Sequence, residues 1–283
     1  MILVIGGTGK IGGEVIRLLA GQGQQCRALV RDPFAASRLA GPGVELCQGD
    51  LARPATLPGA FSGITRVFLV TSPGPETVHL QGAAIAAAAA AGVERLVRIS
   101  VEGVGTPVAA GILEWHSTVE RVLADSGIPA VNLRPTSLMQ NLLGSVETIR
   151  RAGQFFGAQG DGRVAFVDAR DVAAAAVGAL MREKHHSEDV TLTGPAAHSY
   201  ADLAGQLSEE LGRPVAYVDL PPDAYRAGMI AAGLPEWLAR DLALLEDASC
   251  GTVMPVADGV ERLAGVEPRP FREFAHDYRG VFG

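Results

Sequence analysis

The chain has 283 residues, 48% of them hydrophobic and 19% charged, and carries a formal net charge of −7. That length and apolar content suit a large α/β domain with a smaller appendage. The acidic balance, uninterrupted by any block of Lys or Arg, argues against nucleic acid or an anionic membrane as partner and favours a small-molecule ligand; a monomer or homodimer is expected.

The longest apolar stretch, Gly82 to Val93, is too short to span a bilayer. The chain opens inside a strand without a basic leader, and a cytoplasmic location is expected. Cys26 and Cys47 fall in apolar runs and Cys250 lies far from both, which reads as reduced thiols. His185 and His186 sit in a charged loop with no partner at ligand spacing, so no metal site is expected.

Ile2 to Ile5 is an uninterrupted apolar run, as expected of a strand covered on both faces. Gly6, Gly9 and Gly12 follow at spacings of three, and the amphipathic segment Glu14 to Ala20 comes next, giving the order strand, glycine turn, helix. Glycine lets the main chain approach a ligand closely, and the helix that follows offers unpaired N–H groups to an anion. In that context the pattern predicts dinucleotide binding through a pyrophosphate.

Gln25 to Arg31 reads as the second strand, and its tip bears on cofactor type. An acid there would favour NAD, whereas Arg31 suits the 2′-phosphate of NADP; Lys10, within the glycine loop, could reach the same phosphate. NADP is therefore expected, with NADPH preferred and NAD possible. A third strand, Val44 to Leu51, brings Asp50 to its exit, where it could accept from adenine or cap a helix over Leu51 to Ala60. The fourth strand starts at Arg66 and breaks at Thr71, Ser72 and Pro73 into a loop expected beside the cofactor ribose.

An alanine-rich helix from Glu76 to Ala91, a fifth strand from Arg95 to Ser100, a helix from Leu113 to Ser126 and a sixth strand from Ile128 to Arg134 complete a strand–helix alternation. It predicts a doubly wound parallel sheet over residues 1–135. Residues 136–283 are expected to form a smaller α/β substrate region, with about 163–194 returning to the sheet. Within it Thr136 to Arg151 reads as one segment, 153–162 as a glycine-rich loop or hairpin, Val164 to Asp168 as a short strand and Asp171 to Met181 as a helix.

Gly6-Gly7-Thr8-Gly9-Lys10-Ile11-Gly12, Arg27 through Pro33, Gln48 through Leu51, Leu133-Arg134-Pro135 and Val167 through Val172 together resemble the NmrA-like family of atypical short-chain dehydrogenases, over essentially the whole chain. The resemblance implies that Gly6, Thr8, Gly9, Ile11 and Gly12 line the pyrophosphate, Arg31 the 2′-phosphate, Asp50 and Leu51 the adenine, and Thr71, Ser72 and Pro73 the nicotinamide ribose. It also implies that His116 stands where related reductases carry an active-site lysine. The Tyr-x-x-x-Lys pair of ordinary short-chain dehydrogenases is absent, since no lysine follows Tyr200, Tyr217, Tyr225 or Tyr278 at that spacing.

The function expected is NADPH-dependent reduction of a conjugated acceptor such as a quinone or enone, which needs only modest proton assistance. A non-catalytic NADP(H) sensor and a biosynthetic isomerase or cyclase on the same fold are the alternatives. His116 and Glu120, four residues apart on one helix, are the expected catalytic pair, the carboxylate favouring a protonated imidazole that donates a proton. The competing role for Glu120 is an ion pair with Arg121 or Arg150, and Ser100 and Asn141 are further candidates for polarising the acceptor oxygen.

Overall fold

A computed structural model describes residues 1–184 and 186–283, so the histidine reading at His185 lies outside the described residues. Seven parallel strands form the main sheet: β1 (Ile2–Ile5), β2 (Cys26–Val30), β3 (Val44–Gln48), β4 (Arg66–Leu69), β5 (Arg95–Ile99), β6 (Ala130–Pro135) and, after an intervening strand β7 (Gln154–Gly157), β8 (Glu188–Leu192). Their spatial order is β3-β2-β1-β4-β5-β6-β8. The sheet is thus doubly wound, and the order reverses between β1 and β4.

Side chains along β1 alternate between two buried layers. Ile2 and Val4 face a cluster built from helices α1 (Lys10–Gly21), α6 (Ala169–Met181) and α10 (Gly259–Ala264). Leu3 and Ile5 face a second cluster against α2 (Leu57–Phe61), α3 (Thr77–Ala90) and α4 (Gly111–Asp125). Burial on both sides is why the run carries no polar residue, each such side chain contributing about 1.5–3 kcal/mol.

The remaining elements pack beyond the carboxyl end of β6. Helices α5 (Val146–Ala152), α7 (Tyr200–Leu211), α11 (Phe271–Asp277) and α12 (Arg279–Phe282) share a third apolar cluster that includes Phe155, Phe271 and Phe274. Strand β7 pairs in parallel with β9 (Ala216–Asp219) as a separate two-stranded sheet. Helices α8 (Pro222–Ala231) and α9 (Glu236–Asp247) form a hairpin with its own small cluster around Met229, Ala239 and Ala243.

Several expected boundaries are corrected. Val164 to Asp168 is not a strand: its residues make only isolated bridges, Val164 to His198 and Val167 to Leu138. The strand lies instead at Gln154–Gly157, within what reads as a glycine-rich loop, because Phe155 is drawn into the third cluster. Helix α6 starts at Ala169, two residues early, since the buried Asp168 carboxylate caps it by accepting from the Arg170 backbone N–H. Pro54, Pro58 and Gly59 reduce the expected helix after Asp50 to a 3₁₀ turn and the five residues of α2. Thr136 to Arg151 likewise splits, into a 3₁₀ segment over Met139–Ser145 and α5.

Candidate active site

The glycine turn joins β1 to α1 at the point where strand order reverses, which is where open α/β sheets bind ligands. Gly6 has φ +86°, and a Cβ on it would collide with the Val70 carbonyl; a Cβ on Gly12 would strike the Gly6 carbonyl. These two glycines are demanded by the turn itself. Gly9 differs, because a Cβ there would meet nothing closer than the Gly6 oxygen at 3.4 Å. Its missing side chain leaves space outside the turn, against the first turn of α1. That helix has no side-chain N-cap and no acid in its first turn, so its first N–H groups and the positive end of its dipole keep no side-chain partner. Thr8 is exposed and Ile11 buried. A dinucleotide pyrophosphate fits this cradle.

Arg31 is exposed at the end of β2. Asp32 is turned away onto the chain, its Oδ1 accepting from the Phe34 and Ala35 backbone N–H groups, so it does not neutralise Arg31. Lys10 does not share that position. Its Nζ donates to the Gln140 carbonyl at 3.3 Å, tying the start of α1 to the 3₁₀ segment. The expectation that the two cations converge is corrected, since Lys10 turns to the Gln140 carbonyl while Arg31 stands exposed at the tip of β2. Asp50 caps its own turn through Oδ1, which accepts from the Ala52 N–H at 3.0 Å, and Leu51 is buried beside it.

Ser72 and Pro73 are exposed in the loop after β4. Thr71 begins a buried polar chain. Gln81 of α3 donates to the Thr71 oxygen at 2.8 Å, leaving the threonine proton for another acceptor. Arg98 Nε donates to Gln81 Oε1 at 2.6 Å, and a terminal nitrogen of the same guanidinium lies 2.6 Å from His116 Nδ1. Burial of Arg98 lowers its pKa to about 10, which leaves it charged at neutral pH. Loss of solvent, reinforced by that adjacent cation, pushes the His116 imidazole down to about 3.

This geometry corrects three expectations. His116 is neutral rather than a protonated acid, because Arg98 occupies the place the Glu120 carboxylate was expected to hold. Glu120 is committed to Arg134, whose Nη2 lies 2.6 Å from Oε2, and neither Arg121 nor Arg150 is its partner. Ser100 is buried and donates to Glu120 Oε1 at 2.6 Å, so its hydroxyl is spent inside the protein. Asn141 is exposed, and its amide nitrogen reaches only Ser137 Oγ, at 3.4 Å. Of the four expected catalytic residues, His116 and Asn141 retain groups able to meet a ligand.

Sequence reasoning missed Arg98 and Gln81, although one signal was available: Arg95 and Arg98 are cations in a strand otherwise buried on both faces. Each must find fixed partners there. Arg95 meets the carbonyls of Ala179, Arg182 and Lys184 at the end of α6.

The chain matches the NmrA-like family model over residues 1–274. It is 39% identical over 284 residues to an NAD(P)H azoreductase of Xenophilus azovorans, covering 100% of this chain and 99% of that protein. It is 38% identical over 283 residues to a (4-alkanoyl-5-oxo-2,5-dihydrofuran-3-yl)methyl phosphate reductase of Streptomyces griseus, with 100% and 99% covered. Among solved structures it resembles an NADPH-dependent quinone oxidoreductase of Escherichia coli complexed with NADPH, at TM-score 0.90 and 30% identity over 98% of this chain and 99% of that one. With its glycine cradle, doubly wound sheet and full-length similarity, this chain belongs to the NmrA-like family.

Proposed function

We propose that this chain is an NADPH-dependent oxidoreductase that reduces a small conjugated acceptor, of the quinone or enone class, with His116 as a neutral hydrogen-bond donor. The observation that carries the reading is the pairing of an uncapped glycine turn with an imidazole locked by Arg98 at the same end of the sheet. Three relatives that span the chain are named for reducing an azo compound, an oxo-dihydrofuran and a quinone, all conjugated electrophiles. NADPH, when bound, supplies the hydride.

The protein's own contribution follows from the site. The glycine turn and the start of α1 hold the pyrophosphate, Arg31 holds the 2′-phosphate, and Thr71 offers its proton to the ribose. A guanidinium only donates, so the His116 proton resides on Nε2. Nε2–H can then stabilise the acceptor atom that gains negative charge, in the manner of a neutral imidazole electrophile. Water supplies the proton, because the imidazole is held too far below its usual pKa to be an acid at pH 7. Conjugation spreads the developing charge, which suits a single neutral donor, whereas an isolated aldehyde would need the absent Tyr/Lys pair.

Residues 136–283 form the acceptor side in this reading. A monomer or homodimer in the cytoplasm, with no nucleic-acid partner, fits the net charge of −7 and three free thiols. No helix among the described residues is long and apolar enough to cross a membrane. The test is consumption of NADPH and NADH with quinones, enones, azo compounds and simple aldehydes. Turnover of the first three classes with NADPH is expected; intact NADPH binding with no turnover of any acceptor would replace the reductase by a sensor.

A further inference from the structure

The two tryptophans of the chain, Trp115 and Trp237, meet although 122 positions separate them. Their ring centroids are 5.3 Å apart with planes inclined at 65°. Trp115 lies on α4 immediately before His116. Trp237 comes from α9 and reaches the loop after β4, where a Cβ on Gly74 would lie 3.9 Å from its Cζ2. The absence of a side chain at Gly111 seats Trp115, whose Cζ2 would be 3.2 Å from a Cβ there. The fully buried Asp241 carboxylate accepts from the Ile112 N–H at 2.9 Å, fixing α9 on the first turn of α4. The pair therefore stands where the ribose loop, the His116 helix and the α8–α9 hairpin converge.

Two such residues would ordinarily belong to a core, but neither appears in any of the four apolar clusters. Both are only half-buried. Neither indole N–H has an acceptor among the described residues, and neither is sealed from solvent. A tryptophan usually pairs that group when it serves packing.

We propose that Trp115 and Trp237 form the surface that receives the body of the acceptor and that they select flat multi-ring acceptors over single-ring ones. This inference rests on the reductase reading and names its substrate class. With the rings inclined, a flat ligand stacks on one indole face while meeting the edge of the other, and the contact grows with each fused ring. Either free N–H can donate to a carbonyl carried on that body.

The test uses intrinsic fluorescence, since the only two tryptophans both lie in the surface in question. The protein saturated with NADP⁺, in which no turnover occurs, is titrated with phenanthrenequinone and with benzoquinone. Saturable quenching is expected, with phenanthrenequinone bound about two- to tenfold more tightly, as one added stacking contact implies. Trp237→Ala should abolish that preference with NADPH affinity unchanged, and Trp237→Phe should keep most of it. The ratio of kcat/KM for the two quinones should move in parallel. Strictly linear, unsaturable quenching, or an unaltered preference in Trp237→Ala and Trp115→Leu, overturns the inference while leaving the reductase reading intact. Saturable, Trp-dependent binding without reduction of either quinone would support the aromatic surface and refute the reductase reading.

Discussion

Arg98 donates to Nδ1 of His116 at 2.6 Å from a position with no solvent exposure, and that bond fixes both the charge and the tautomer of the imidazole. Replacing His116 by Ala should leave NADPH affinity unchanged and lower turnover by roughly 10²-fold, the lower range for removing one donor to a developing oxyanion. The wild-type rate should show no inflection near the ordinary histidine pKa of about 6.5. In Arg98→Met the second cause of the depressed pKa is gone. The His116 ring-proton NMR signal, silent near neutral pH in the native protein, should then titrate closer to the ordinary range. An unshifted titration would show that burial alone sets the state of the ring.

The same residue makes stability depend on acid. Its folded pKa of about 3 lies below the ordinary histidine value of 6.5, so its contribution is complete above the unfolded value and is lost as pH falls toward the folded one. His116→Gln should therefore flatten the acid limb of Tm against pH between about 6.5 and 3, by the uptake of one proton. Parallel acid limbs for the two proteins would contradict the assignment.

Glu120 is bridged by Arg134, receives the Ser100 hydroxyl and lies 3.9 Å from the buried Arg98. Glu120→Gln should destabilise by on the order of 3 kcal/mol, because the buried Arg98 loses its carboxylate neighbour and Arg134 keeps only Asp189. Thermal melts measure this. If instead Tm is preserved while turnover falls, Glu120 has a chemical role.

Arg31→Ala should weaken NADPH by about 1.5–3 kcal/mol and leave NADH nearly unaffected, since one charge-assisted bond to the 2′-phosphate is lost. Titration of nicotinamide fluorescence checks both cofactors. Equal losses would assign Arg31 to folding.

Gly9 and Gly12 should separate binding from folding. A Cβ at Gly12 runs into the Gly6 carbonyl, whereas Gly9 opens on free space. Gly9→Val is expected to fold with native circular dichroism yet bind no NADPH, and Gly12→Val to lose the fold as well. Retained NADPH affinity in Gly9→Val would displace the pyrophosphate from this turn.

The sequence by itself determined the architecture and the glycine turn that opens it. An apolar run, glycines at fixed spacing and an amphipathic helix are contiguous, and their meaning depends on backbone geometry over about a dozen residues. Arg31 was legible for the same reason, standing at the tip of a local strand. Only the tertiary structure decided the state of His116. Sequence proximity offered Glu120 as its partner, one helical turn away, but the group that meets the ring is Arg98 on a strand packed beneath the helix, while Glu120 turns to Arg134 on a third element. It also set Lys10 against the Gln140 carbonyl, 130 positions along the chain, and brought Trp237 onto Trp115. A side chain's protonation and partner depend on what the fold places within a few ångströms of it, in surroundings that have lost their water. Those neighbours come from distant segments, and no local pattern encodes them.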